Sequence, residues 1–365
     1  MKHILTIMGT RPEAIKLAPM LLEMRERPGI RSTVCVTAQH RQMLDQVNQW
    51  FGIVPDIDLD LMAANQKLAE FAAKALTGIT RVLEEVKPDV VIVQGDTTTA
   101  MMATLAAVYQ RIDVAHVEAG LRTDDFFNPF PEEINRRIVS AATRFHFAPT
   151  ERAADALRRE GIAESAIHVT GNTVIDALRQ TARREVKLQL PFPLDPVHRL
   201  ILVTAHRRES FGAPFEDLCT ALRRLADRNP DIDLVYPVHL NPNVREPVNR
   251  LLAGHPRIHL IEPLRYEEFV HLMIRSYFLL TDSGGVQEEA PFLGKPALVM
   301  RENTERPEAV EAGTARLVGT DPNRIVAAAE ELLRNEPVYR DMARGGSPFG
   351  DGWSARRIVD ILVAG

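Results

Sequence analysis

Lys2-His3-Ile4-Leu5-Thr6-Ile7-Met8-Gly9-Thr10-Arg11-Pro12-Glu13-Ala14-Ile15-Lys16 is the stretch whose reading decides the fold. Ile4–Met8 is a short apolar run, the pattern of a buried strand, and Gly9 and Thr10 end it. Pro12 then stands at a favourable first-turn position of a helix expected over Pro12–Arg27, with Ala14, Leu17, Ala18 and Leu21 on one apolar face. Strand, turn and helix in this order open a parallel sheet, whose ligands bind at the carboxyl ends of strands. The apolar start is too short for a signal peptide, and no stretch approaches ~18 uninterrupted apolar residues, so a cytoplasmic address without a membrane span is expected.

The same alternation continues outward. Strands are expected at Ser32–Thr37, Val90–Gln94, Val114–Val117, Arg144–Ala148 and His168–Thr170, with helical segments between them. A second series follows at Leu200–Thr204, Leu234–Pro237, Ile258–Ile261, Phe278–Thr281, Ala297–Met300 and Ala315–Val318. Between the two series, Pro191, Pro193 and Pro196 interrupt any helix and mark a connection. The 365 residues therefore divide into an expected N-terminal domain, 1–185, and a C-terminal domain, 186–365, both α/β with parallel sheets. The last helix, expected over Ser354–Val363, could pack on either domain.

A formal charge of −5 argues against nucleic-acid binding, which needs a clear basic excess. Cys35 and Cys219 lie in apolar segments far apart, outside any metal-ligand spacing, and read as buried thiols.

Polar motifs gather where strands are expected to end. Arg11 and Lys16 put two cations beside the first helix start, suited to an anion, and the GxGxxG glycines of a dinucleotide site are missing. Val93-Gln94-Gly95-Asp96-Thr97-Thr98-Thr99 places Asp96 at a second strand end, where a helix cap is the competing reading. His116-Val117-Glu118-Ala119-Gly120-Leu121-Arg122-Thr123 repeats the placement with Glu118, and Pro131-Glu132-Glu133-Ile134-Asn135-Arg136-Arg137 brings acids and arginines to another helix start. Asp96, Glu118 and Glu132, all at loops on one expected edge, suit general acid–base proton transfer. In the second half, His206, Arg207 and Arg208 follow an apolar strand, and His239 follows the next. Thr281-Asp282-Ser283-Gly284-Gly285-Val286-Gln287-Glu288-Glu289 is a small-residue turn into a helix, where backbone N–H groups can approach a diphosphate. One of Glu288 and Glu289 suits ribose hydroxyls, and Arg306 precedes another proline-started helix.

Taken together, GTRPEAIKLAP, QGDTTT, HVEAGLRT, PEEINR, TGNTVIDAL, HRRESFG, TDSGGVQEEAP and TERPEAV resemble, in order and separation, the non-hydrolysing UDP-N-acetylglucosamine 2-epimerases over essentially the whole chain. The resemblance implies a GT-B fold of two Rossmann-like domains with an interdomain cleft. It also implies interconversion of UDP-GlcNAc and UDP-ManNAc without a dissociable cofactor or metal, through elimination of UDP to 2-acetamidoglucal and re-addition. Carried over by motif, Asp96, Glu118, Glu132 and His206 would be catalytic, and Arg11, Lys16, Arg136, Arg207, Phe269, Ser283, Gly284, Gly285, Glu289 and Arg306 would hold substrate. Gln39, Gln42, Arg207 and His239 match positions of an activating second UDP-GlcNAc site, whereas Asn65 stands where that site would have an arginine. A homodimer serving cell-envelope polysaccharide synthesis is implied as well. The competing readings are a hydrolysing relative that releases ManNAc, a GT-B glycosyltransferase, and a catalytically silent sugar-nucleotide sensor.

Overall fold

Buried on both faces, the apolar runs become the strands of two parallel sheets, in a computed structural model that describes residues 1–38, 41–63, 66–127, 129–193, 195–344 and 346–364. The first sheet contains β1 (Lys2–Met8), β2 (Ile30–Val36), β3 (Ile57–Asp58), β4 (Val90–Gln94), β5 (Asp113–Val117), β6 (Phe145–Ala148) and β7 (Ile167–Val169). Its spatial order is β3-β2-β1-β4-β5-β6-β7. The second contains β8 (Arg199–Thr204), β9 (Ile232–Pro237), β10 (Ile258–Ile261), β11 (Phe278–Thr281), β12 (Ala297–Val299) and β13 (Ala315–Leu317), ordered β10-β9-β8-β11-β12-β13. Both are Rossmann-like, as expected. Each begins with a central strand, runs outward to one side and then restarts on the other, so the order reverses between β1 and β4 and between β8 and β11. Helices leaving the two strands at such a point diverge, and the gap between them is where doubly wound sheets take ligands.

Val90, Val91, Ile92 and Val93 are at most 1% exposed, which explains their unbroken apolar run. Against one face of their sheet pack Phe71, Ile79 and Leu83 from the helix Leu68–Val86 and Ala103 and Ala107 from Thr98–Tyr109. The second core gathers Ile201, Val203, Leu222, Tyr236 and Leu280. Complete burial of each such large side chain is worth about 1.5–3 kcal/mol. The short β3 was not anticipated; its two residues show no period, and it is anchored by Asp56, whose carboxylate accepts from the Val34 N–H at 2.7 Å.

By its contacts the chain divides into two compact units, Met1–Arg179 with Phe349–Gly365, and Gln180–Pro348. The last helix, Ser354–Ala364, belongs to the first: Asp176 accepts from the Ser354 and Ala355 N–H groups at 3.1 and 2.9 Å, and Arg27 pairs with Asp360 at 2.7 Å. Cys35 and Cys219 are buried free thiols, each pushed up to about 12 by burial. Among the described residues no helix is long and apolar enough to cross a membrane.

Candidate active site

In the first unit, β1 runs through Gly9 and Thr10 into the helix Arg11–Arg25. Glu13, buried in the first turn of that helix, accepts at one carboxylate oxygen from the Gly9 and Thr10 N–H groups at 3.0 and 2.7 Å. Its other oxygen accepts from the Thr97 hydroxyl at 2.7 Å, tying the loop after β1 to the loop after β4. Burial raises the Glu13 carboxyl above its ordinary range, and these hydrogen bonds oppose the shift. Arg11 on this fixed first turn and Lys16 on the next are both half-buried.

Glu118 follows β5 in the left-handed region, at φ 64°, a conformation that non-glycine residues seldom adopt and that marks a position held by its surroundings. Both carboxylate oxygens accept from Lys16 Nζ, at 2.6 and 2.7 Å, one accepts from Asn172 Nδ2 at 3.0 Å, and the other from the Gln94 amide. Every one of these partners is a donor, so the nest suits the carboxylate form, which accepts only. Asp96, one strand over, accepts from Arg136 Nη2 at 2.5 Å, while its backbone carbonyl accepts from Asn135 at 2.9 Å. The helix-cap reading of Asp96 does not hold: Thr97 is the cap, its hydroxyl accepting from the Ala100 N–H at 3.0 Å. A threonine one residue later competes for the same role, and Asp96 keeps its side chain 29% exposed for other work.

Two adjacent acids at the start of the helix Glu132–Ala141 divide their tasks. Glu133 is buried and structural, accepting from the Thr123 N–H at 3.0 Å and from Arg137 and Arg136 at 2.9 and 3.3 Å. Glu132 is half-buried, and its Oε2 has no hydrogen-bond partner among the described residues.

In the second unit, β11 ends at Thr281, and the helix Gly284–Phe292 starts after Ser283, whose side chain makes no capping hydrogen bond. The first-turn N–H groups of that helix have no intrahelical acceptor and are directed to whatever lies beyond its end. A Cβ on Gly284 would stand 3.5 Å from Arg207 Nη2 and 3.9 Å from the Arg306 guanidinium, so two cations lie over the turn. Arg306 is held by the buried Glu288, which accepts from its Nε. The Thr304 hydroxyl donates to Gln287 at 2.5 Å.

Behind the turn, Asp282 is fully buried and accepts from the His206 and Arg207 N–H groups at 2.6 and 2.7 Å. His206 Nδ1 lies 3.5 Å from its other oxygen, and the His206 ring stacks on His239 with centroids 5.4 Å apart. Burial pushes His206 below its ordinary value, Asp282 opposes this, and His239 and Arg207 add to it. A phosphate beside the ring would act as Asp282 does and favour the charged form.

Of the expected residues, Lys16 meets Glu118 and Asp96 meets Arg136 in the first unit, and Arg207 and Arg306 lie over the Gly284 turn in the second, with His206 bound to Asp282 behind it. Phe269 lies half-buried on the helix Tyr266–Arg275. Of the positions matched to an activating site, Arg207 and His239 follow neighbouring strands, Gln42 is exposed on the helix Arg41–Phe51, and Gln39 and Asn65 lie outside the described residues. Residue types alone missed Glu13, Gln94, Asn172 and Asp282 as supports. Glu13, Gln94 and Asp282 stand inside quoted motifs close to named residues, and that adjacency was the available signal; Asn172 stands in a quoted motif that holds no named residue. Among the described residues no cluster of three or more His, Cys, Asp or Glu is arranged to hold a metal ion.

Comparison with known proteins bears directly on this arrangement. The family model for UDP-N-acetylglucosamine 2-epimerase matches residues 22–363. The chain is 54% identical to the UDP-N-acetylglucosamine 2-epimerase of Escherichia coli O157:H7, over 98% of each chain. It is 50% identical to that of Bacillus subtilis (strain 168), over 99% of this chain and 94% of the relative. Among solved structures, the UDP-GlcNAc 2-epimerase of Neisseria meningitidis bound to UDP-GlcNAc superposes with a TM-score of 0.92 at 46% identity, covering both chains fully. The Methanocaldococcus jannaschii enzyme in complex with UDP-GlcNAc and UDP gives 0.82 at 34% identity, again with full coverage of both.

Proposed function

The chain belongs to the UDP-N-acetylglucosamine 2-epimerase family, and on that premise we propose that it interconverts UDP-GlcNAc and UDP-ManNAc without releasing the free sugar. The observation that carries the reading is the pair of carboxylates Asp96 and Glu118, held by cations and amides beside the sheet's switch point, with the Glu132 Oε2 left without a hydrogen-bond partner among the described residues.

The C2 proton of an intact sugar is weakly acidic, and its removal becomes feasible when a good leaving group departs from C1. A carboxylate of the first unit takes that proton, the C1–O bond to the diphosphate breaks with its electron pair passing to UDP, and a C1–C2 double bond forms. Return of a proton to the opposite face of C2, with attack of the diphosphate oxygen on C1, completes the inversion. The second unit supplies what the leaving group needs. The uncapped N-terminus at Gly284 and Gly285, with Arg207 and Arg306 over it, stabilises charge developing on the diphosphate, and His206 can share a proton there. Glu289 accepts from the ribose and Arg11 meets the anionic substrate, while Lys16 and Arg136 balance negative charge at Glu118 and Asp96.

Incubation with UDP-GlcNAc in deuterated water, followed by NMR, tests this directly. UDP-ManNAc carrying deuterium at C2 is the expected product. Free ManNAc with UDP would replace the proposal by the hydrolysing reaction, and an unexchanged C2 would remove it altogether.

A further inference from the structure

We infer that His116 is a positioning residue for the proton-transfer centre: its Nε2 donates to the Gly95 carbonyl and so fixes the turn that carries Asp96. This rests on the epimerase reading above. His116 is fully buried on β5, paired in register with Val93 of β4, and its Nε2 lies 2.7 Å from the Gly95 oxygen. A carbonyl only accepts, so Nε2 carries the proton and Nδ1 carries the lone pair. That Nδ1 atom is buried without a hydrogen-bond partner among the described residues. An unsatisfied buried acceptor is unfavourable by about 1–3 kcal/mol, a penalty that valine or leucine would avoid at this position.

What the imidazole does that an aliphatic side chain cannot is hold one peptide. Gly95 has φ 70°, and its N–H donates to the Val117 carbonyl at 3.0 Å while its own carbonyl takes the His116 bond. Both faces of this left-handed residue are therefore tied to β5. Directly before it, Gln94 meets Glu118; directly after it comes Asp96, bound to Arg136. Glu118 itself lies two residues beyond His116, just past the end of the same strand. One buried ring thus sets the spacing between two of the proposed proton-transfer groups. Burial holds it neutral, with His146 and Arg122 adding to that effect and Glu118 and the Gly95 bond opposing it, so the donor persists across the working pH range.

The test compares His116→Leu with His116→Gln, whose amide N–H can reach the position of Nε2. Leucine should lower kcat on the order of 10²-fold, the size of effect that misplacement of a catalytic group produces, with KM for UDP-GlcNAc within twofold. Glutamine should recover at least tenfold of that loss, and C2 deuterium exchange should follow kcat in both variants. A leucine variant that keeps kcat within threefold, or a glutamine variant no better than leucine at equal melting temperature, overturns the inference. Should the leucine variant fail to fold, nitrogen-15 NMR of the wild-type ring decides: a neutral Nε2–H tautomer down to pH 5 supports it, and an Nδ1–H tautomer or titration near the ordinary value overturns it. Wild type without turnover would reject the epimerase reading and this inference together, whereas active wild type with an unaffected leucine variant rejects the inference alone.

Discussion

The two switch points use the same strand geometry for opposite purposes. In the first unit the loops after β1, β4 and β5 are filled with side chains that bond to one another: Glu13 to Thr97, Lys16 and Asn172 to Glu118, Arg136 to Asp96. In the second unit the loop after β11 leaves backbone donors exposed at a glycine turn, and the side chains around it hold arginines over that turn. Carboxylates proposed to exchange protons need fixed positions, and bonds to neighbouring side chains give them here. A diphosphate carries its own charge and acceptor oxygens, so a helix start and two guanidinium groups suffice to meet it. On the proposed function, chemistry falls to the first unit and binding to the second, a division that single substitutions can break.

Asp96→Asn is the largest expected effect. The amide keeps its oxygen toward Arg136 but cannot exchange a proton, and turnover should fall on the order of 10³-fold, within the range found for general acid–base groups. Affinity for UDP should stay within threefold by calorimetry, and a parallel loss of UDP binding would erase the division. Arg306→Met should do the reverse. It removes a charge-assisted contact and separates Glu288 from its cation, so the Kd for UDP should rise roughly 10–100-fold, as loss of a charged hydrogen bond implies. A variant whose kcat collapses while UDP binds normally would place Arg306 in the chemical step instead.

Much of the fold was legible because parallel strands are buried on both faces, so Val90–Val93 and Phe278–Leu280 appear as unbroken apolar runs. Helix starts were legible wherever proline or a small-residue turn marked them. The side chains supporting the site were not, since their partners are remote in sequence. Glu13 sits where any proline-started helix welcomes an acid, and only the fold brings Thr97, 84 residues on, to its other oxygen. Asn172 reaches Glu118 across 54 positions. Asp96 and Thr97 are both good caps by type, and which of them caps is settled by the direction of one side chain.

Glycines sharpen the comparison at smaller scale. Gly120 has φ 90°, and a Cβ there would drive into the Ala153 backbone carbonyl. Gly120→Ala should destabilise the first unit by at least about 1–3 kcal/mol, the strain of the backbone conformation alone, measured by urea unfolding. Gly285 is helical, and its Cβ would meet only the Ser283 hydroxyl oxygen at 3.9 Å. Gly285→Ala should therefore leave stability within about 0.5 kcal/mol or raise it, since alanine favours a helix, while weakening UDP binding roughly tenfold by blocking close approach. Equal stability losses at both positions would deny that one glycine serves packing and the other the ligand.

The smallest effect concerns protons that play no part in turnover. The first unit buries two histidines side by side in register on β5 and β6, His116 pushed down to about 3 and His146 to about 4, both chiefly by burial. At pH 5 the unfolded chain holds a proton on each, at the ordinary value near 6.5, and the folded chain holds almost none. Unfolding therefore takes up protons, and stability falls as pH drops from about 6.5 toward 4, by about 1.4 kcal/mol per pH unit for each histidine. His146→Phe fills a similar volume and removes one of the two, together with the contact of its ring to the Thr143 backbone. Melting temperature measured between pH 4.5 and 6.5 should then lose about one proton's share of its slope, with turnover at pH 7.5 unchanged. An unaltered slope would mean that His146 is charged in the fold. The acid sensitivity would then have to come from carboxylates.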